Sequence, residues 1–262
     1  MLVHLVADYG PGDLAAAEVR SHLAVHLPGS DVTYTPVGPF DTVAAGFCVG
    51  QLALGEGPSE RLVYHNVAPR EDRDDPRPGN EGEPLVAARL SNGVLVVGVA
   101  AGWTFAFVRD EAEEVHEIAV PPSGSQFRSR DAFPALLPRL LAGDRSLLAA
   151  PLDPTELPGV PSRAVAYVDG YGNLKTTWQD LAAEPGARLR VRVGDVEAEA
   201  VVGGGTFAVP AGGLSFAPGS SGWATRAGGR RRWFELLARG GNAAELFGFP
   251  TPGTPVAVDV IG

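Results

Sequence analysis

The sequence predicts an α/β N-terminal domain with a mostly parallel, layered sheet, followed by a smaller all-β, barrel-like C-terminal domain. Three observations predict it. Strand-like and helix-like segments alternate through the N-terminal part, a proline-rich stretch follows, and beyond it short runs alternate apolar and polar residues between glycine turns. The expected boundaries are residues 1–150 for the first domain, 151–163 for the linker and 164–262 for the second domain.

Taken in order, "LVHLVA" reads as a buried strand, and "ADYGPGD" as a turn from which "LAAAEVRSHLAVHL" runs at helical spacing with Asp13 as N-cap. "DVTYTPV" is a second strand, "FDTVAAGFCVGQLAL" a second helix and "RLVYHNV" a third strand. A polar loop, "EDRDDPRPGNEGEP", precedes the short β runs "LVAARL", "GVLVVGVA" and "FAFVR". "DAFPALLPRLLAGD" reads as a helix in which Pro134 suits the first turn and Pro138 implies a kink. "AAPLDPTELPGVPSR", with four prolines, is the linker. Past it, "AVAYVDGYGNLKTTW", "ARLRVRVGDVEAEAVV", "TFAVP" and "TPVAVDVIG" read as strands of an antiparallel barrel or sandwich.

The bulk numbers narrow the function. At 262 residues, 45% hydrophobic and 20% charged, the chain can bury one large core or two modest ones. A formal charge of −10 argues against a general nucleic-acid partner, and the Arg230-Arg231-Arg232 cluster reads as a solvated turn. No apolar run reaches the ~18 residues of a membrane span, and "MLVHLVADYG" does not read as a signal peptide, so a cytoplasmic location without membrane partners is expected. The single cysteine, Cys48, reads as a small core residue. Neither a zinc-type ligand spacing nor a phosphate-binding GxxxxGK[ST] loop occurs.

Ligands of open α/β sheets bind beyond the carboxyl ends of strands. The polar residues expected there are Asp8, Tyr9 and Gly10 after the first strand and Tyr64, His65 and Asn66 at the third, with Ser91-Asn92-Gly93 in a turn between β runs. Asp8, an acceptor-only group, could hold a pair of ribose hydroxyls or could cap the turn before the helix. His65 could act as a base near neutrality or be polar surface. The stretch "SQFRSRDAF" reads as both a helix start and a site wall, with Arg130 and Asp131 paired to brace the turn and Arg128 and Ser129 facing a ligand.

Six segments in order, "ADYGPGDLAAAEVR", "PFDTVAAGF", "LSNGVL", "FRSRDAFPALLPRLLAGD", "DGYGNLKTT" and "GGNAAELFG", span nearly the whole chain. Together they resemble the S-adenosylmethionine hydroxide adenosyltransferases (SAM hydrolases) and the related fluorinase and chlorinase, as a divergent member. The resemblance implies an α/β domain joined to a β-barrel-like domain, a homotrimer with interfacial sites, and S-adenosylmethionine as a substrate with no further cofactor. It implies that Asp8 holds the ribose hydroxyls, Asp169 and Asn173 the methionine amino-acid group, and that Tyr171 walls the pocket, with Asn242 and Ala243 near the adenine. Phe40 would pack on the ribose and sulfonium, or serve as a core residue starting a helix.

The implied reaction is displacement of methionine from C5′ by water, giving adenosine. Hydrolytic members position the water with an Asp, an Arg and a His. In this chain Tyr64 stands at the Asp position and Arg128 at the His position, while the Arg could be Arg70 or Arg73. Tyr64 and Ser129 instead match the halide-using members, although Val67 departs from their threonine and the fluorinase's extra loop has no counterpart. A halide-dependent displacement, or a SAM- or adenosine-binding module without turnover, are the alternatives.

Overall fold

The chain folds into two compact units, Met1–Gly159 and Val160–Gly262, a division that falls inside the proline-rich segment. This computed structural model describes residues 1–69, 82–121 and 125–261. Arg70, Arg73 and most of the polar loop lie outside the described residues.

In the first unit the strands are β1 (Leu2–Ala7), β2 (Asp31–Pro36), β3 (Arg61–Asn66), β4 (Leu85–Leu90), β5 (Leu95–Val99), β6 (Ala112–Ile118) and β7 (Leu148–Pro151). The helices are α1 (Leu14–His26), α2 (Thr42–Leu54), α3 (Arg128–Asp131) and α4 (Phe133–Leu141). The strands form one seven-stranded sheet in the order β2-β1-β3-β5-β4-β6-β7.

The expectation of an α/β domain with a mostly parallel sheet is overturned. Strands β2, β1, β3 and β5 run parallel, but the pairs β4–β5, β4–β6 and β6–β7 are antiparallel, so the sheet is mixed. The tight Ser91-Asn92-Gly93 turn leaves no room for the crossover that a parallel pair requires, which makes β4–β5 a hairpin. "FAFVR" is not a strand. Its backbone winds through successive turns, with Ala106 N–H bonded to the Trp103 carbonyl and Val108 N–H to that of Phe105, while Phe105 and Phe107 still reach the core. The strand lies just after it in "AEEVHEI", where Ala112, Val115 and Ile118 are buried among glutamates that mask the pattern.

The local chemistry explains the helices. Asp13 caps α1, its carboxylate accepting from Ala15 N–H at 2.9 Å, and Ala16, Val19 and Leu23 form the buried stripe. Asp41 caps α2 through Ala44 N–H at 2.8 Å. The predicted helix "DAFPALLPRLLAGD" breaks at Ala132 into α3 and α4, with Pro134 in the first turn of α4 and Pro138 inside it. Helices α1 and α4 pack together over one sheet face, where Val19, Leu23, Leu136 and Leu137 meet Val3, Leu5 and Tyr64.

The second unit holds β8 (Val165–Val168), β9 (Leu174–Thr176), β10 (Arg188–Val193), β11 (Val196–Val202), β12 (Leu214–Ala224), β13 (Arg230–Ala238), α5 (Ala243–Leu246) and β14 (Val256–Val260). Its sheet is also seven-stranded, ordered β14-β10-β11-β12-β13-β9-β8, and only β11–β12 is parallel. The edges β8 and β14 approach each other through a bridge between Ala164 and Pro255. Two sequence expectations change. "TFAVP" contains a short 3₁₀ turn at Thr206–Ala208, leaving Phe207 exposed. The Arg230-Arg231-Arg232 cluster is not a turn but the start of β13, with Arg231 lying over the Trp233 ring. The whole is therefore two seven-stranded sheets, mixed and largely antiparallel, with few helices. Among the described residues no helix is long and apolar enough to cross a membrane.

Candidate functional site

Strand β1 lies between β2 and β3, and the chain reaches β2 through α1 and then β3 through α2. The connections therefore diverge on either side of β1, and the crevice between the carboxyl ends of β1 and β3 is the topological switch point of this sheet, where open sheets hold ligands.

Asp8 is the first residue beyond β1. It does not cap α1, which is the work of Asp13. Instead its Oδ2 accepts the Phe40 backbone N–H at 3.0 Å. That bond holds Phe40 at φ 59, in the left-handed region that bulky residues avoid, with the ring 52% exposed rather than in the core.

A cluster of hydroxyls lies beyond β1 and β3, and the Asp8 charge acts on two of its members, Tyr9 and Tyr34. Tyr9 Oη lies 2.8 Å from Ser129 Oγ, and Tyr64 Oη donates to the Ser129 carbonyl at 2.8 Å. Tyr34 Oη donates to the Tyr9 carbonyl. Tyr64 and Ser129, paired only by resemblance in the sequence, are thus brought together at the end of β3 and the start of α3. Burial pushes the Tyr34 hydroxyl up to about 12, with Asp8 and Asp13 adding to it. Burial raises Tyr9 and Tyr64 as well, so all three phenols stay neutral.

The other candidates fall into place less directly. Arg128 does not contact this hydroxyl cluster through a polar bond; its guanidinium stands over the Phe133 ring at 5.2 Å. Arg130 Nε meets Asp131 at 2.6 Å and Nη1 meets Glu18 at 3.1 Å, fastening α3 to α1, while bonds from Arg130 and Ser125 hold the Asp131 carboxyl down at about 2. His65 is neither a base in the crevice nor polar surface. By strand alternation it faces away from Tyr64, fully buried against Phe105 and Gly98, and burial pulls its imidazole down to about 3. Arg70 lies outside the described residues. Tyr34 carries no signal in the sequence, while Phe127 enters it only within the "SQFRSRDAF" wall and Tyr9 only as a polar residue after the first strand. Folding joins the three, since Tyr9 stacks on Tyr34 and meets Phe127 edge-on.

In the second unit the structure brings Asp169, Tyr171, Asn173, Asn242 and Ala243 together. Asp169 Oδ1 accepts from the backbone N–H groups of Tyr171 and Asn173, and its Oδ2 accepts from the Asn173 amide at 3.0 Å. This ties "DGYGN" into a turn that presents Tyr171 to solvent, 83% exposed. The turn rests on α5. Asn242 caps that helix, accepting from Glu245 N–H at 3.0 Å, and Ala244 N–H donates to the Gly172 carbonyl at 2.8 Å. Two clefts lie elsewhere, one in the first unit at Glu114, His116 and Arg145 and one in the second at Arg163 and Arg192. None of the residues singled out in the sequence lines either.

No protein-family model matches the chain, and no curated protein matches it. Solved structures do. An uncharacterized conserved protein from Thermotoga maritima shares 20% identity at a TM-score of 0.77, covering 98% of this chain and 100% of that one. A conserved hypothetical protein from Thermus thermophilus shares 25% identity at a TM-score of 0.69, covering 98% and 99%. These are likenesses of fold, and neither carries a named activity.

Proposed function

We propose that the chain binds S-adenosylmethionine at the β1–β3 crevice and displaces methionine from C5′ with water, giving adenosine. The observation that carries this reading is Asp8 at the switch point, fixed by the Phe40 amide, with the next residue, Tyr9, hydrogen-bonded to Ser129. A ribose diol offers two donors to such a carboxylate, and the half-exposed Phe40 ring adjoins it as a face for a sulfonium cation. The substrate arrives activated, so the protein mainly aligns the nucleophile and excludes competing water. The proposal further assigns Asp169, Asn173 and Tyr171 to the methionine end, Asn242 and Ala243 to the adenine end, and a homotrimer as the assembly.

A second reading, a SAM- or adenosine-binding module without turnover, is favoured by one observation. Tyr64 already donates to the Ser129 carbonyl, and His65 is buried on the opposite face, so neither supplies a base to the crevice. A calorimetric titration with S-adenosylmethionine tests the binding that both readings share. Asp8→Asn loses the charge on its hydrogen bonds to the ligand, about 1.5 to 3 kcal/mol, and is expected to weaken binding about 10- to 100-fold. Unchanged affinity would remove Asp8 from the site.

A further inference from the structure

We infer that Tyr9 is a positioning residue for the nucleophile, acting through its hydroxyl bond to Ser129; the inference rests on the displacement reading above. The Tyr9 ring is clamped, stacked on Tyr34 with centroids 6.5 Å apart and met edge-on by Phe127 at 5.9 Å. Its carbonyl receives the Tyr34 hydroxyl, so both ends of the residue are held. The hydroxyl reaches Ser129 Oγ at 2.8 Å, and Tyr64 secures the Ser129 backbone from the other side. Ser129 is 4% exposed, and its rotamer is set by this bond rather than by bulk water.

Either hydroxyl can be the donor in this bond, and in both senses Ser129 Oγ keeps a lone pair. That lone pair can accept a hydrogen bond from the attacking water and fix where the water's own lone pair points.

In the step itself, the water oxygen bonds to C5′ as the C5′–S bond breaks. The bonding pair moves to sulfur, leaving methionine as a neutral thioether. The proton released by the water passes to bulk solvent, and neither hydroxyl changes its net protonation. Tyr9 and Ser129 therefore supply order rather than a base, at the place where Tyr64 and Arg128 depart from the hydrolytic pattern.

The test uses the full chain with S-adenosylmethionine as the probe, scoring SAM-induced stabilisation, KM and kcat. For Tyr9→Phe, which keeps the ring clamp, the expected result is KM within about twofold of wild type and kcat lower by about tenfold or more, the signature of an interaction lost in the transition state. Ser129→Ala loses at least as much, and the double variant loses no more than Ser129→Ala alone, because the two hydroxyls act as one unit. Wild-type kcat in Tyr9→Phe, or additive losses in the double variant, would overturn the inference while leaving the displacement reading intact. Should Tyr9→Phe fail to fold, Ser129→Ala, which removes the other partner of the same bond, carries the test, and an unchanged kcat there overturns the inference. Absence of SAM-induced stabilisation in the wild type would instead sink the displacement reading, and this inference with it.

Discussion

His65 sits on β3 with neither ring nitrogen hydrogen-bonded, its ring against Phe105 at 4.7 Å and over Gly98, where an added Cβ would collide with it. Burial lowers the folded-state value to about 3, below the ordinary 6.5, so the unfolded chain takes up the proton first as pH falls. Stability contributed by neutral His65 is complete above about pH 6.5 and is lost progressively towards pH 3, amounting to about 2 kcal/mol by pH 5. Denaturant melts at pH 7 and pH 5 check this: the wild type loses midpoint on acidification, and His65→Leu loses less. Equal losses would mean that His65 reaches solvent. At this scale the sequence exposed Asp8 and Tyr64 as polar residues near strand ends and Ser129 at the "SQFRSRDAF" helix start. It concealed the burial of His65, because a histidine beside Tyr64 and Asn66 looks the same whichever sheet face it takes. Tyr9 gained a role only when folding brought Ser129, 120 positions along the chain, within hydrogen-bond distance.

Elements were legible where local chemistry decides them. Asp13 with its helical stripe gave α1, and the apolar runs gave β1 to β5. They were illegible where tertiary packing decides. The glutamates of "AEEVHEI" hide β6, the glycines and serines of "LSFAPGSSGWA" hide β12, and the arginines opening β13 look like a solvated turn until the buried Trp233 is placed beneath them. The "DGYGN" turn is an element whose strength can be tested. Gly172 has φ +77, and a Cβ there would collide with Asn242 Oδ1, the group that caps α5. Gly172→Ala therefore combines left-handed strain with damage to a helix cap, and the expected cost is about 2 to 3 kcal/mol, read as a lower thermal midpoint. A midpoint within a degree of wild type would show that the turn and α5 do not depend on each other.

Across the whole molecule, the fold class could not be read from the change in texture along the sequence. A parallel core of four strands produces the alternation of an α/β domain, while the antiparallel addition of β4, β6 and β7 depends on a tight turn and on strands with weak patterns. The second unit has its own core, built around Trp178, Phe216, Leu236 and Phe247, and Trp223 and Trp233 are also buried within it. Residues 160–262 expressed alone are accordingly expected to unfold in one cooperative transition, reported by the fluorescence of these three tryptophans. A non-cooperative melt would show that this core needs the first unit. The role of Asp8 in displacement at C5′ is measured by incubating the purified chain with S-adenosylmethionine, with and without chloride or fluoride, and resolving the products by chromatography and mass spectrometry beside Asp8→Asn. Adenosine and methionine are expected from the wild type in every buffer, with a loss of both in Asp8→Asn; intact S-adenosylmethionine, or a halogenated nucleoside in place of adenosine, would rule out hydrolysis at this site.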